Sequence, residues 1–220
     1  AALLAISFWH LLFSHMAFRV ITQPLMQTLT VAALLRGLRL EQRKWLVTSG
    51  VFLGLAGYTY LAVRLFPVLL LLASVPLLIG KKWRQRVWQL LLVGGVALVV
   101  LAPLLGFFIT NPDTFWVRIN QVAPSETALS LGESIVRSLE MFFLVGDPYV
   151  RFNVPGRPLF GWFWGGLLLV GWGMILWRWR RWQADWQRFA MLLLLLAPFI
   201  MLLPTALAVN EIVPSNLRAL

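Results

Sequence analysis

Arginines, an aspartate and an asparagine hold most of the chemistry that this sequence offers outside its apolar segments. The densest group lies in GDPYVRFNVPGRPLF, residues 146–160, which contains Asp147, Arg151, Asn153 and Arg157. Arginine presents a planar fork of N–H donors that matches phosphate oxygens, and asparagine supplies donors and an acceptor. The segment predicts a binding site for an anionic ligand; the alternative is a structural lid whose charges pair only with each other.

Four further residues extend this group: His15, Arg19, Arg64 and Arg218. They lie near the predicted external ends of membrane helices, where an ionisable residue is costly enough to be a functional candidate by default. One such arginine could equally reach out to lipid headgroups, and His15 could equally occupy a helix interface. Several arginines gathered on one face of a helix bundle favour an anionic ligand.

The familiar catalytic and metal-binding patterns are absent from the sequence. Four motifs, HExxH, GxxxxGK[ST], GxSxG and GxGxxG, would indicate a metalloprotease, a phosphate-binding loop, a hydrolase and a dinucleotide site, respectively. The sequence contains none of them. The chain has two histidines and no cysteine. No metal ligand is therefore assigned.

The composition predicts an all-α protein that crosses a membrane several times. Of the 220 residues, 60% are hydrophobic and 12% are charged, too few to cover a water-soluble surface. A helix spans hydrocarbon with ~20 apolar residues, and we expect a bundle of about seven membrane helices in a single domain over 1–220. The weakest block contains Pro67 and Pro76. The apolar blocks are 1–14, 20–35, 45–63, 65–79, 88–110, 161–177 and 189–209.

The distribution of lysine and arginine predicts the orientation of this bundle. Segments 36–44, 81–86 and 178–188 each carry four basic residues and together only two acids, Glu41 and Asp185. Short basic loops stay cytoplasmic, which makes 111–160 one long external loop. The net charge of +11 is then expected to face anionic lipid and not nucleic acid. Seven tryptophans flank these basic loops, and we expect them to form an aromatic belt at the membrane interface and not to stack on sugars or bases. They are Trp45, Trp83, Trp88, Trp177, Trp179, Trp182 and Trp186.

Cysteine labelling tests this orientation. An impermeant maleimide added outside should modify Ser125→Cys and leave Gln183→Cys unmodified, because the basic loops hold 12 of the 19 lysines and arginines. The reverse labelling pattern would overturn the orientation and the external site together.

The long loop is expected to contain a helix and an ordered segment after it. SLGESIVRSLEMFFL, residues 130–144, begins with a capping box of Ser130 and Glu133. Its apolar residues recur at helical spacing, which suits a helix at the membrane surface or one packed on the protein. The prolines and glycines of 146–160 restrict the backbone and provide turns, and Asp147 can pair with Arg151 or Arg157.

Five segments, in order along nearly the whole chain, resemble one family of membrane enzymes. The family consists of bacterial relatives of protein O-mannosyltransferases and lipid A aminoarabinose transferases, which have the C-type glycosyltransferase fold. Two segments resemble its external helix ends, two resemble its long external loop, and one resembles the start of a later external segment. They are SHMAFRVITQPL (14–25), LGLAGYTYLAVRLFPVLL (53–70), NPDTFWVRINQV (111–122), GDPYVRFNVPGRPLF (146–160) and PSNLRAL (214–220).

The resemblance implies transfer of a sugar, mannosyl or related, from a polyprenyl-phosphate carrier to an acceptor at the external face of a bacterial inner membrane. The acceptor could be a protein, a lipid or a polysaccharide, and a divalent metal ion is left open as a cofactor. In the family an acid on the first external loop is the general base. That loop would precede Ala1, so the chain is expected to be an internal fragment lacking it, with Asp147 as the fallback. His15 stands where the family usually has arginine.

A multi-pass transporter or flippase for a lipid-linked or anionic substrate is the alternative function. Such proteins bind substrate near the bilayer midplane at interrupted helices, and many are built from repeated halves. Gln23, Gln27 and Thr28 supply polar groups within one apolar block, but repeated halves are not evident in the sequence. A purely structural membrane subunit would need no converging arginines.

Overall fold

The computed structural model describes residues 11, 21–114, 130–149, 153–179, 181 and 184–207. Over these residues the protein is all-helical and contains no β-strand, which confirms the predicted all-α class. A 3-10 turn, Leu61–Leu65, precedes α3. The helices are α1 Thr22–Leu40, α2 Arg43–Ala56, α3 Phe66–Ala73, α4 Val75–Ile79, α5 Trp83–Thr110, α6 Leu131–Glu140, α7 Trp162–Arg178 and α8 Asp185–Ala206.

Three segments are long and apolar enough to cross a membrane: Ala62–Ile79, Trp83–Thr110 and Asp185–Ala206. Helices α1, α2 and α7 overlap the apolar blocks predicted at 20–35, 45–63 and 161–177. The block at 1–14, apart from Leu11, lies outside the described residues. Membrane location is therefore supported by these three helices, and the total of about seven spans remains a prediction.

The chain divides into two compact units, which are described separately. The bundle unit comprises 22–110 and 172–200, and the loop unit comprises 1–21, 111–171 and 201–220. Helices α7 and α8 each run from one unit into the other.

In the bundle unit, α1 and α2 form a helical hairpin. The turn between them contains Glu41, whose φ of 54° is left-handed, so the chain reverses within two residues. Ser49 Oγ of α2 donates a hydrogen bond of 2.9 Å to the Thr30 carbonyl of α1. Leu38 and Leu46, each 1% exposed, fill the hairpin interior.

Gly50 and Gly54 on α2, and Gly57 directly after its end, pack against α5. A Cβ atom on Gly54 would lie 2.6 Å from Val100 Cβ and 2.9 Å from the Ala97 carbonyl oxygen. The two backbones therefore approach more closely than any side chain at this position would allow. Small residues four apart serve the same purpose in membrane helix pairs generally.

The block predicted as one helix over 65–79 is interrupted. Pro67 and Pro76 lie in the first turns of α3 and α4 instead of inside one continuous helix. Proline suits a first turn because its missing N–H would have no helical acceptor there. Ser74 occupies the junction, where its Oγ donates a 2.7 Å hydrogen bond to the Leu70 carbonyl.

In the loop unit, α6 is shorter than the predicted 130–144 because residues 141–144 form turns. Its N-cap is confirmed, since Glu133 N donates to Ser130 Oγ at 3.2 Å, and Arg137 pairs with Glu133 at 2.7 Å. Ser134 is fully buried and donates to the Ala206 carbonyl at 2.6 Å. The serine side of α6 thus packs on the protein, while its apolar residues are exposed.

Candidate functional site

The segment from 141 to 160 closes on itself at its base. Leu159 N donates to the Met141 carbonyl at 2.8 Å, and Phe160 N donates to the Phe142 carbonyl at 2.9 Å. The rings of Phe142 and Phe160 stack with centroids 5.8 Å apart. These contacts hold the two ends of the loop together immediately before α7 begins.

Two glycines close the loop again nearer its tip. Gly146 N donates to the Gly156 carbonyl at 3.1 Å, and Gly156 N donates to the Asp147 carbonyl at 3.2 Å. A Cβ atom on Gly146 would overlap the carbonyl oxygen of Arg157. Gly156 has φ +74°, a left-handed conformation that glycine adopts without steric cost. Both turns therefore depend on glycine.

Asn153 bridges the two sides of this loop from a buried position. Its Nδ2 donates to the carbonyls of Asp147 and Arg157, each at 2.8 Å, and the residue is 3% exposed. The two amide hydrogens predicted to serve a ligand are thus used inside the loop. Its Oδ1 is buried and has no hydrogen-bond partner in the described part of the chain, so one acceptor remains available.

Asp147 also acts within the loop. Its Oδ1 accepts a 2.8 Å hydrogen bond from Tyr149 N, the arrangement by which aspartate stabilises turns. The residue is 1% exposed. This burial suits a positioning role better than the fallback role of general base, which must reach the proton it removes.

Arg157 combines a fixed backbone with an exposed side chain. Its N donates to the Val154 carbonyl at 2.9 Å, and its carbonyl accepts from Asn153 at 2.8 Å. The loop thus fixes the backbone from which this cation can reach an anion, so that binding has only the side chain left to order.

The structure brings Asp147, Asn153 and Arg157 together and places Arg64 in the other unit. Arg64 is half-buried, with Cζ 5.9 Å from the Phe108 ring centroid. Convergence of the arginines on one face therefore remains a prediction. The other candidates fall outside the described residues: His15, Arg19, Arg151 and Arg218.

An ion pair between a buried arginine and a partly buried aspartate in the bundle unit was not predicted from the sequence. Arg86, 3% exposed, binds Asp185 through Nε–Oδ2 at 2.7 Å and Nη2–Oδ1 at 2.9 Å. Its Nη1 also donates to the Leu38 carbonyl at 3.0 Å and to Gln89 Oε1 at 2.8 Å. One guanidinium thus joins α1, α5 and α8. The sequence feature that could have indicated this pair is Asp185, a single acid at the start of α8 in an arginine-rich segment.

The other acid of the basic loops is paired as well. Lys82 Nζ lies 2.6 Å from Glu41 Oε1, with both side chains exposed. Hydrogen bonds from Lys82 and Gln85 lower the pKa of the Glu41 carboxyl below its ordinary value. Both acids of segments 36–44 and 178–188 are therefore neutralised by the 81–86 segment.

Within the described ranges, no three His, Cys, Asp or Glu side chains gather as a metal-ligand set. No family model matches the chain, and neither a curated protein nor a solved structure matches it. The function is therefore argued from the residues and their geometry.

Proposed function

We propose that this chain forms part of a membrane glycosyltransferase that uses a polyprenyl-phosphate-linked sugar at the external membrane face. Three observations support the proposal. Five segments resemble that family in order along the chain, three helices have membrane-spanning length and apolarity, and a closed loop presents an exposed arginine next to α7.

The fixed backbone of Arg157 is the observation on which the site depends. In the proposed reaction an acceptor hydroxyl attacks the anomeric carbon, the bond from that carbon to the phosphate oxygen breaks, and the phosphate leaves with the electron pair. A preorganised cation stabilises the charge that develops on the leaving group. Asn153 and Asp147 are positioning residues, because they hold the loop through carbonyl and turn hydrogen bonds. The proton of the acceptor hydroxyl goes to a general base, which in the family that the chain resembles is an acid on the first external loop.

Replacing Arg157 by alanine should lower sugar transfer by roughly 100-fold, about 2.7 kcal/mol, if its contact with phosphate forms mainly in the transition state. The measurement is release of labelled sugar from a synthetic polyprenyl-phosphate donor by membranes containing the complete enzyme. Membrane expression and thermal midpoint should stay near those of the wild type, since the Arg157 side chain is exposed.

Arg137→Ala is the matched control, because Arg137 is also an exposed arginine of the loop unit but lies on α6, outside the closed loop. It should leave turnover unchanged. Wild-type turnover and donor affinity in Arg157→Ala would reduce the loop to a structural lid. The remaining candidates for binding the donor phosphate would then be Arg19, Arg64, Arg151 and Arg218.

The interrupted segment at 61–79 is the observation that favours the transporter or flippase as a second candidate, since broken helices line substrate sites in such proteins. The same donor distinguishes the two functions. A transferase cleaves the bond between sugar and phosphate, whereas a flippase moves the lipid-linked sugar intact to the other leaflet.

A further inference from the structure

A groove in the bundle unit lies between the end of α1 and the start of α8. It has a volume of about 430 Å³ and is lined by Leu35, Arg36, Arg39, Leu40 and Trp186. Its walls are therefore mainly apolar, and two cations stand among them. It contains none of the candidate residues of the external loop.

The two arginines of the groove lack a carboxylate partner among the described residues. The two acids of the basic loops are already bound, Glu41 by Lys82 and Asp185 by Arg86. Residues three apart on a helix lie on the same side, and like charges in this arrangement repel. An anion placed between Arg36 and Arg39 would remove this repulsion.

Each of the two guanidinium groups lies beside an aromatic ring. Arg36 Cζ lies 4.1 Å from the centroid of the Trp45 ring, and Arg39 Cζ lies 5.9 Å from that of Trp186. Stacking occupies the flat face of a guanidinium and leaves its N–H edge able to donate to oxygens. Tryptophan itself prefers the headgroup level of a membrane, because its ring is apolar and its N–H is polar.

We propose that this groove binds the headgroup of an acidic phospholipid, with the phosphate between Arg36 and Arg39. The glycerol and first acyl carbons would lie against Leu35, Leu40 and the Trp186 ring. A soluble phosphate would gain nothing from these apolar walls, whereas a lipid uses both parts of the groove. Its position at the ends of α1 and α8, beside the predicted cytoplasmic loops, matches the leaflet in which anionic lipid is expected.

Native mass spectrometry of the purified chain, titrated with dioleoyl phosphatidylglycerol in a neutral detergent, tests the proposal. The double variant Arg36→Gln/Arg39→Gln should weaken binding of the first lipid by at least about tenfold, as loss of charge-assisted contacts implies. Lys81→Gln/Arg84→Gln removes the same charge from exposed positions outside the groove. This control should change the affinity less than about twofold.

Three further measurements decide between lipid and other anions. Dioleoyl phosphatidylcholine should bind about tenfold more weakly than phosphatidylglycerol, and excess inorganic phosphate should not displace the lipid. Trp186→Leu, which keeps both arginines, should also weaken lipid binding while leaving the helical circular dichroism unchanged. Equal losses in the two double variants, no preference for phosphatidylglycerol, displacement by phosphate, or unaltered binding in Trp186→Leu would each overturn the proposal.

Discussion

Replacing Asp185 by alanine should destabilise the protein by about 3–5 kcal/mol, because it leaves the Arg86 guanidinium as an uncompensated buried charge. Arg86 is 3% exposed and bonds to groups of α1, α5 and α8. Reversible unfolding in mixed detergent micelles, followed by circular dichroism, measures the free energy. The remaining donors of Arg86 to Leu38 and Gln89 do not replace the lost negative charge.

Two companion variants make this result interpretable. Glu41→Ala breaks the exposed pair with Lys82 and should cost less than about 1 kcal/mol. Arg86→Met/Asp185→Leu removes both charges and should recover most of the lost stability, since apolar replacement of such a pair is often neutral or favourable. If Asp185→Ala were no worse than Glu41→Ala, the pair would be solvated and would not join the three helices.

Gly54→Leu should be the second most damaging change, with a loss of about 3 kcal/mol, at the upper end of overpacking costs. The new Cβ would meet Val100 Cβ at 2.6 Å and the Ala97 carbonyl oxygen at 2.9 Å. A backbone oxygen cannot rotate away as a flexible side chain can, so α2 and α5 would have to move apart. The same unfolding assay reports this loss.

Gly95→Leu on α5 is the matched control, because a Cβ there has no heavy atom within 4 Å. Leucine is a better helix former than glycine by about 1 kcal/mol, so this variant should be neutral or slightly stabilising. Comparable losses in the two variants would mean that the cost comes from leucine itself and not from the close approach of the helices.

Helix positions were predictable from the sequence because apolar blocks of membrane length have few other structures available. The break at 61–79 was less evident, since a proline within an apolar block is compatible with a kinked helix or with a new first turn. The glycines of GVFLGLAG, residues 50–57, indicate that another helix packs closely against this segment. They do not indicate which helix it is, so the contact between α2 and α5 could not be predicted.

The sequence predicted which residues belong to the candidate site, but not how they are arranged. Proline, glycine, Asp147 and Asn153 indicated turns, but the sequence could not show that both Asn153 amide hydrogens would bind carbonyls of the loop. The pair of Arg86 with Asp185 was missed for a related reason. The orientation rule counts basic residues without regard to burial, and these partners lie 99 residues apart.

The junction at Ser74 determines where the span Ala62–Ile79 can bend. Pro76 has no N–H to donate to the carbonyl four residues earlier, so the hydrogen-bond ladder that stiffens a helix is interrupted there. The Ser74 hydroxyl donates to the Leu70 carbonyl at 2.7 Å, beside the 3.0 Å hydrogen bond that this carbonyl accepts from Ser74 N. Helices bend where this ladder is broken, so a change in membrane thickness or curvature should be absorbed at this joint.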